Sequence, residues 1–367
     1  MNKRDRVLTA LAFEEPDRVP IGELDIDLPL MEALTGQRVA IATSLQTQVI
    51  ADPAQERQHI DLKHACYRRV DFDLFTVDLS APAGWTPTHT PDGSLIDLWG
   101  RVLRLDEQSM AWVPYTTLFT APEDFDAFPF PDPTAPGWTY AAEYAKQVIG
   151  DTMALAAFIR DPFAHAWEMF TPTHFVRWMY QQPAFIRRVL DQLTAFNVEI
   201  IHRLAEAGVD LIISGGDYCE AKGPMVPLSV FRDLIFPCLQ TQVAAAHQRG
   251  LKFIKHTDGD VRPFLPELAA LVDGLHSLDP SAGVDIGQVK AAYGDQLILM
   301  GNVSVDHLAQ RSRAEIVAET KQCLRAAAPG GGYILSSSNS WAAGAKLDNC
   351  LAMVDTAKRY GVYPIRL

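Results

Sequence analysis

The chain has 367 residues, 48% of them hydrophobic and 21% charged, the balance of a globular protein with a large buried core, which excludes extensive disorder. A formal net charge of -13 excludes sequence-independent binding to nucleic acid and disfavours anionic membranes, since both rest on clustered Lys and Arg. No run approaches the roughly 18 apolar residues of a membrane span, the opening stretch carries Glu14, Glu15 and Asp17 where a signal peptide would be uncharged, and Cys66, Cys219, Cys238, Cys323 and Cys350 are odd in number and form no CxxC pair, so reduced thiols in the cytoplasm are expected.

Residues 1–15 read as a helix ahead of the first of eight short apolar, β-branched runs. The runs are 19–26 (VPIGELDI), 73–79 (DLFTVDL), 153–159 (MALAAFI), 210–216 (DLIISGG), 252–258 (KFIKHTD), 273–279 (DGLHSLD), 296–302 (QLILMGN) and 333–339 (YILSSSN). Each ends in polar residues and most are followed by a helical pattern, the α/β alternation. After the second run, residues 81–136 break the rhythm with Pro, Thr, Asp and aromatic residues. Within them TPDGSLIDLWGRVLRL predicts a hairpin turning at Asp92-Gly93, and this insertion is placed over the barrel mouth. Later amphipathic segments fit helices capped by Gly208 and Gly250, and LDNCLAMVDTAKRYG forms the last helix. The PGGGY run lacks the Gly-Lys-Ser/Thr ending of a P-loop and precedes a strand, so it reads as a tight turn. A doubly wound open sheet gives a similar local pattern, but eight strands favour one (β/α)8 TIM barrel over 1–367, with an N-terminal helix and a hairpin-containing insertion after strand two.

On that frame an active site forms at the carboxyl ends of the strands. Those positions hold Glu23, Asp25 and Asp27, then Asp78, Arg160 with Asp161, Asp217 with Tyr218, His256 with Asp258, His276 with Asp279, Asn302, and the run Ser336 to Asn339. About half of them are expected only to cap helices or turns. His256 and Asp258 stand two apart, so both side chains project from one side of a strand into the mouth. They are the leading catalytic candidates, with Asp78 and Asp217 beside them. Asp217 follows a Gly-Gly pair that lets the backbone approach a ligand closely, a turn cap being the alternative. Cys219 has no obvious local base and is read as inert. Glu23, Asp25, Arg160, Trp167, Tyr218, His276 and Asn302 are the candidates for substrate binding. Eight carboxylates (Glu23, Asp25, Asp27, Asp78, Asp161, Asp217, Asp258, Asp279) oppose only Arg160, Lys222 and Lys255 near the mouth. A polyanion would be repelled there, so a small, neutral or weakly charged substrate is expected.

The opening DRVLTALAFEEPDRVP, the segment DLWGR, the run KHTDGD, then GLHSLDP, MGNV and PGGGYILSSSNS, in that order over nearly the whole chain, resemble the uroporphyrinogen decarboxylase superfamily. That superfamily includes corrinoid-dependent methyltransferases. The resemblance implies a His-x-Cys pair after the fifth strand and a further Cys after the eighth as zinc ligands, at positions that here hold His256, Asp258 and Asn339. It also implies, from the related cobalamin-independent methionine synthases, an acidic ligand after the sixth strand, about where Asp279 lies. Both thiolates are replaced by oxygen groups, a harder site less suited to a thiol acceptor. The authentic decarboxylases carry an Arg-rich segment after strand one, an Asp after strand two, a Tyr after strand three and a His after strand eight. Here those places hold GELDIDLPL without Arg, Asp78, Trp167 and the SSSNS run, so Asp78 is the one match.

The resulting expectation is a methyltransferase moving a methyl group from a small O- or N-methylated substrate to a corrinoid on a partner protein. His256, Asp258, Asp279 and Asn339 would hold zinc or a similar divalent ion. The alternative at the same site is metal-free, with His256 as general acid and Asp258 fixing its tautomer. Decarboxylation at Asp78 is the second reading, a non-catalytic ligand-binding barrel the third. Monomer and homodimer both remain open.

Overall fold

The computed structural model describes residues 1–39, 52–107 and 111–367. Among the described residues seven parallel strands form one curled sheet: β1 (Leu74–Val77), β2 (Ala154–Arg160), β3 (Leu211–Gly215), β4 (Lys252–Thr257), β5 (Gly274–Ser277), β6 (Ile298–Val303) and β7 (Tyr333–Ser337), adjacent in that order. The run at 19–26 supplies the eighth stave. Ile21 bridges Leu335 and Ile26 bridges Trp341, both parallel, while the Asp73 N–H donates to the Ile21 carbonyl at 2.7 Å. The segment therefore lies between β7 and β1 and closes a (β/α)8 barrel. It is extended but not a continuous strand, because Pro20 has no N–H to give and the Ile21 N–H goes to the Asp73 carboxylate at 2.9 Å. Gly22 is pressed against β1: a Cβ there would lie 2.8 Å from that of Leu74.

Alternation divides each strand between two cores. Leu24, Leu74, Ala154, Ala156, Phe158, Leu211, Ile213, Ile254, Ile298, Met300 and Ile334 fill the barrel interior, and Val7 and Leu11 of the N-terminal helix (Lys3–Leu11) join them. Leu155, Ala157, Ile159, Ile212, Phe253, Leu275, Leu299 and Leu335 face the surrounding helices. Buried Asp73 takes Arg6 at 2.6 Å and Arg18 at 2.8 Å, pinning the N-terminal helix to the first two staves. The C-terminal mouth is left for polar side chains.

Helices occupy Pro183–Glu206, a stretch from Leu228 to Gln248, and Leu347–Tyr360, where the apolar spacing puts them. The stretch from Leu228 contains a π turn at Phe231–Ile235 that periodicity did not signal. The insertion forms a four-stranded antiparallel sheet (Thr88–His89, Leu95–Ile96, Arg101–Asp106, Ala111–Thr117), with the turn at Asp92-Gly93 joining its first two strands. Residues 108–110 of the insertion lie outside the described residues. Its anchor is the helix Pro162–Gln181: the Trp99 ring packs on His165 at 4.2 Å, and Arg101 pairs with Glu168 at 2.6 Å.

Candidate active site

Inward alternation along β4 passes from Ile254 to His256, and Asp258 follows just past the strand end. The Asp258 N–H donates to Asp217 Oδ1 at 2.9 Å, which ties the loop after β3 to the end of β4. Asn339 Nδ2, from the loop after β7, donates to Asp258 Oδ2 at 2.7 Å. Asp217, His256 and Asp258 each present one ligand-capable atom, all within 4.8 Å of one another. Three N and O protein donors, which leave a fourth ligand position to water or substrate, are the set of a catalytic metal site, and these are the residues that could hold a divalent cation.

Behind His256 runs a hydrogen-bonded line that fixes its tautomer. His256 Nδ1 meets His276 Nδ1 at 2.8 Å, His276 Nε2 meets Ser336 Oγ at 3.1 Å, and Ser336 Oγ donates to the Ser337 carbonyl at 2.7 Å. A carbonyl only accepts, so the Ser336 proton is committed and His276 Nε2 must be the donor to Ser336. His276 Nδ1 is then an acceptor, His256 Nδ1 carries a hydrogen, and His256 Nε2 keeps a bare lone pair. Burial holds both imidazoles below their ordinary range; for His256 the Asp258 and Asp217 carboxylates pull the other way. Burial, aided by repulsion from Asp217, raises Asp258 against the opposing pull of His256.

A second polar group lies at the first two staves. Lys63, from the helix Pro53–Val70, pairs with Asp25 at 2.7 Å, both buried. Burial pushes Asp78 up to about 7, with Lys63 opposing and Asp25 and Glu56 assisting; Glu56 also reaches about 7 by burial. Glu23 is fully buried, accepts from the Ser337 N–H and Oγ at 2.7 Å each, and is raised to about 8 by desolvation.

Several expected site residues take other places. Asp279 is a cap, accepting from Ser281 N at 2.8 Å, Ser281 Oγ at 2.7 Å and Gly259 N at 3.1 Å, and it stands outside the group that could hold a cation; Asp217 stands inside it. Asn339 touches that group as a donor to Asp258. His276 lies 1% exposed behind His256. Tyr218 is buried among Phe163, Phe231 and Phe264, its hydroxyl donating to Asp161 at 2.7 Å. Asn302 donates to the Leu278 carbonyl at 2.7 Å and lines a groove of about 660 Å³ between the helices Ile286–Tyr293 and Arg313–Ala327, outside the barrel. Trp167 sits half-buried on the 162–181 helix. Gly215 and Gly216 let the chain approach Phe158 and Ala164 rather than opening room for a ligand, since added Cβ atoms would lie 1.9 Å and 2.4 Å from those side chains.

Sequence reasoning missed Lys63, Glu56, Arg101 and Glu168. A signal for the first two existed: positions 56, 60, 63, 67 and 70 make one buried helical face, and Glu and Lys on such a face are out of place unless they have partners.

A methyltransferase from Methanosarcina mazei shares this fold, with a TM-score of 0.76 at 18% identity over 98% of this chain and 99% of its own. A B12-independent methionine synthase from a Shewanella species aligns with a TM-score of 0.55 at 12% identity over 93% of this chain and 98% of its own. No curated protein matches the chain significantly. A family model described as uroporphyrinogen decarboxylase (URO-D) matches residues 103–360. That match spans well over half of the residues, and the chain belongs to the uroporphyrinogen decarboxylase family.

Proposed function

We propose that the protein is a methyltransferase that moves the methyl group of a small O- or N-methylated compound to a corrinoid carried by a partner protein, at a site where Asp217, His256 and Asp258 hold zinc or a similar divalent cation. The observation that carries this reading is the convergence of those three donors within 4.8 Å, with the lone pair of His256 Nε2 left bare by the line through His276 and Ser336. The donor set fits a cation of intermediate hardness, and three protein donors leave a ligand position for substrate. A cation bound there would act as a Lewis acid on the heteroatom that gives up the methyl group.

The chain's own residues do the positioning. His276 holds the His256 ring in one tautomer, and Asn339 holds one oxygen of Asp258. Asp217, bonded to the Asp258 backbone, keeps the two loops in register. When the methyl group leaves, the bond pair stays on the heteroatom, which takes up a proton. The Methanosarcina methyltransferase and the Shewanella methionine synthase support methyl chemistry on this frame.

The test is metal analysis of protein purified without chelator, followed by mixing with reduced cobalamin and a panel of methanol, methylamine and methoxylated aromatic compounds. Stoichiometric metal and a donor-dependent change in the cobalamin spectrum, both lost in His256→Ala, are expected. Absence of metal together with an unaltered spectrum would overturn the reading.

Asp78 favours a second reading. A carboxyl raised to about 7 at the end of β1 is poised for proton transfer near neutral pH. A decarboxylase would release carbon dioxide from a small carboxylic acid without corrinoid, and Asp78→Asn would abolish it.

A further inference from the structure

Arg160 ends β2 in register with Gly215 of β3, and Gly215 is in register with His256 of β4. The inward row of β2 is Ala154, Ala156 and Phe158, so Arg160 continues it, and the three positions make one tier around the mouth. Gly215 gives that tier no side chain, and the Phe158 ring occupies the space beside it. Strands stand about 4.8 Å apart, so the backbones of Arg160 and His256 lie roughly 10 Å apart along the sheet.

The Arg160 guanidinium is 8% exposed. Its Nη2 donates to Glu168, while its buried Nε has no hydrogen-bond partner. Glu168 is shared with Arg101, which also pairs with Asp97, at 2.6 Å in each case. Asp97 and Glu168 therefore hold the two guanidiniums, Asp161 and Asp217 also attract Arg160, and its Nε is left without a hydrogen bond. A buried donor of this kind is costly unless something else accepts from it, and a planar guanidinium edge matches a carboxylate.

We propose that the methyl donor is a small monocarboxylate whose carboxylate is received by Arg160, with its methylated heteroatom toward His256. This rests on the methyl-transfer reading and names its substrate class. One carboxylate is the limit, because Asp217 and Asp258 at the same mouth repel further negative charge.

Calorimetric titration of the zinc-loaded protein with benzoate, benzyl alcohol and phenyl phosphate tests the site without requiring turnover. Benzoate is expected to bind roughly ten- to a hundred-fold more tightly than benzyl alcohol, with phenyl phosphate weaker than benzoate. Arg160→Gln should erase the difference and Arg160→Lys should keep part of it. Equal binding of benzoate and benzyl alcohol by the wild type overturns the proposal, whether or not the variants fold, and so does a preference that survives Arg160→Gln. Tighter binding of phenyl phosphate than benzoate overturns the monocarboxylate assignment. Methyl transfer from 4-methoxybenzoate to reduced cobalamin is followed separately: benzoate binding that depends on Arg160, without transfer from any donor, leaves the carboxylate site standing and removes the reaction.

Discussion

Replacing His276 by Leu removes the acceptor that orients His256 while keeping an apolar group of similar bulk in a position that is 1% exposed. The His256 Nδ1 hydrogen, now bonded at 2.8 Å, loses its partner, and the ring becomes free to turn or to change tautomer. Loss of the hydrogen bond that orients a ligating imidazole costs about ten- to a hundred-fold in metal affinity, or about 1.4 to 2.7 kcal/mol at roughly 1.36 kcal/mol per factor of ten. Competition for zinc against a chromophoric chelator at neutral pH measures this directly, with circular dichroism as the check on folding. His276→Asn, whose side-chain carbonyl can accept from His256, should recover part of the loss. A folded His276→Leu protein that holds zinc within twofold of wild type would refute the argument that the line behind His256 sets its lone pair.

Arg101→Met takes the guanidinium from buried Asp97 and leaves buried Glu168 with Arg160 alone, each now 2.6 Å from Arg101; breaking such a network costs about 3 to 5 kcal/mol, visible as a clear fall in the urea midpoint and as faster proteolysis of the insertion. Glu23, raised from an ordinary 4.5 to about 8 by burial, sheds its proton near 4.5 when unfolded but keeps it to about 8 when folded. Its contribution to stability is therefore full at acid pH and lost as pH rises toward 8. Urea unfolding between pH 5 and pH 8 should show wild-type stability falling, and Glu23→Gln should flatten the fall; equal slopes would count against the assignment. Asp279→Ala should cost about 1 kcal/mol as a lost cap and leave zinc affinity unchanged, whereas Asp217→Ala should abolish zinc binding. The reverse pattern in the same chelator assay would restore Asp279 as a ligand.

The barrel was legible because seven of its staves are buried runs of the length and β-branched character that a parallel sheet requires, each bounded by turn residues. The eighth, 19–26, has the right apolar pattern, but Pro20, which lacks an N–H, and the Ile21 N–H, taken by the Asp73 carboxylate, keep it from pairing as a continuous strand. What was not legible is which polar strand-end residues face inward. Period-two alternation places His256 in the mouth. Near the end of β6, Asn302 instead bonds to the Leu278 carbonyl and faces the outer helices. Residues that join the site from distant helices, such as Lys63 and Glu168, carry no strand-end mark at all.

The exchange of Asp279 for Asp217 has a local cause that the sequence does contain. The chain has four Asp-Pro steps: Asp52-Pro53, Asp132-Pro133, Asp161-Pro162 and Asp279-Pro280. In every one the Asp side chain accepts the N–H two residues on, from Ala54, Thr134, Phe163 and Ser281 at 2.8 to 2.9 Å. Proline fixes φ at the first position of a turn or helix and has no N–H of its own, so the next free donor falls to the preceding carboxylate. A carboxylate committed in this way has lost much of its freedom to move toward a cation. Asp217 and Asp258 are followed by Tyr218 and Gly259 instead, and their oxygens are taken by groups within the site, the Asp258 N–H and the Asn339 amide. Position after a strand end selects the candidates, and the residue that follows separates those that cap from those that remain available.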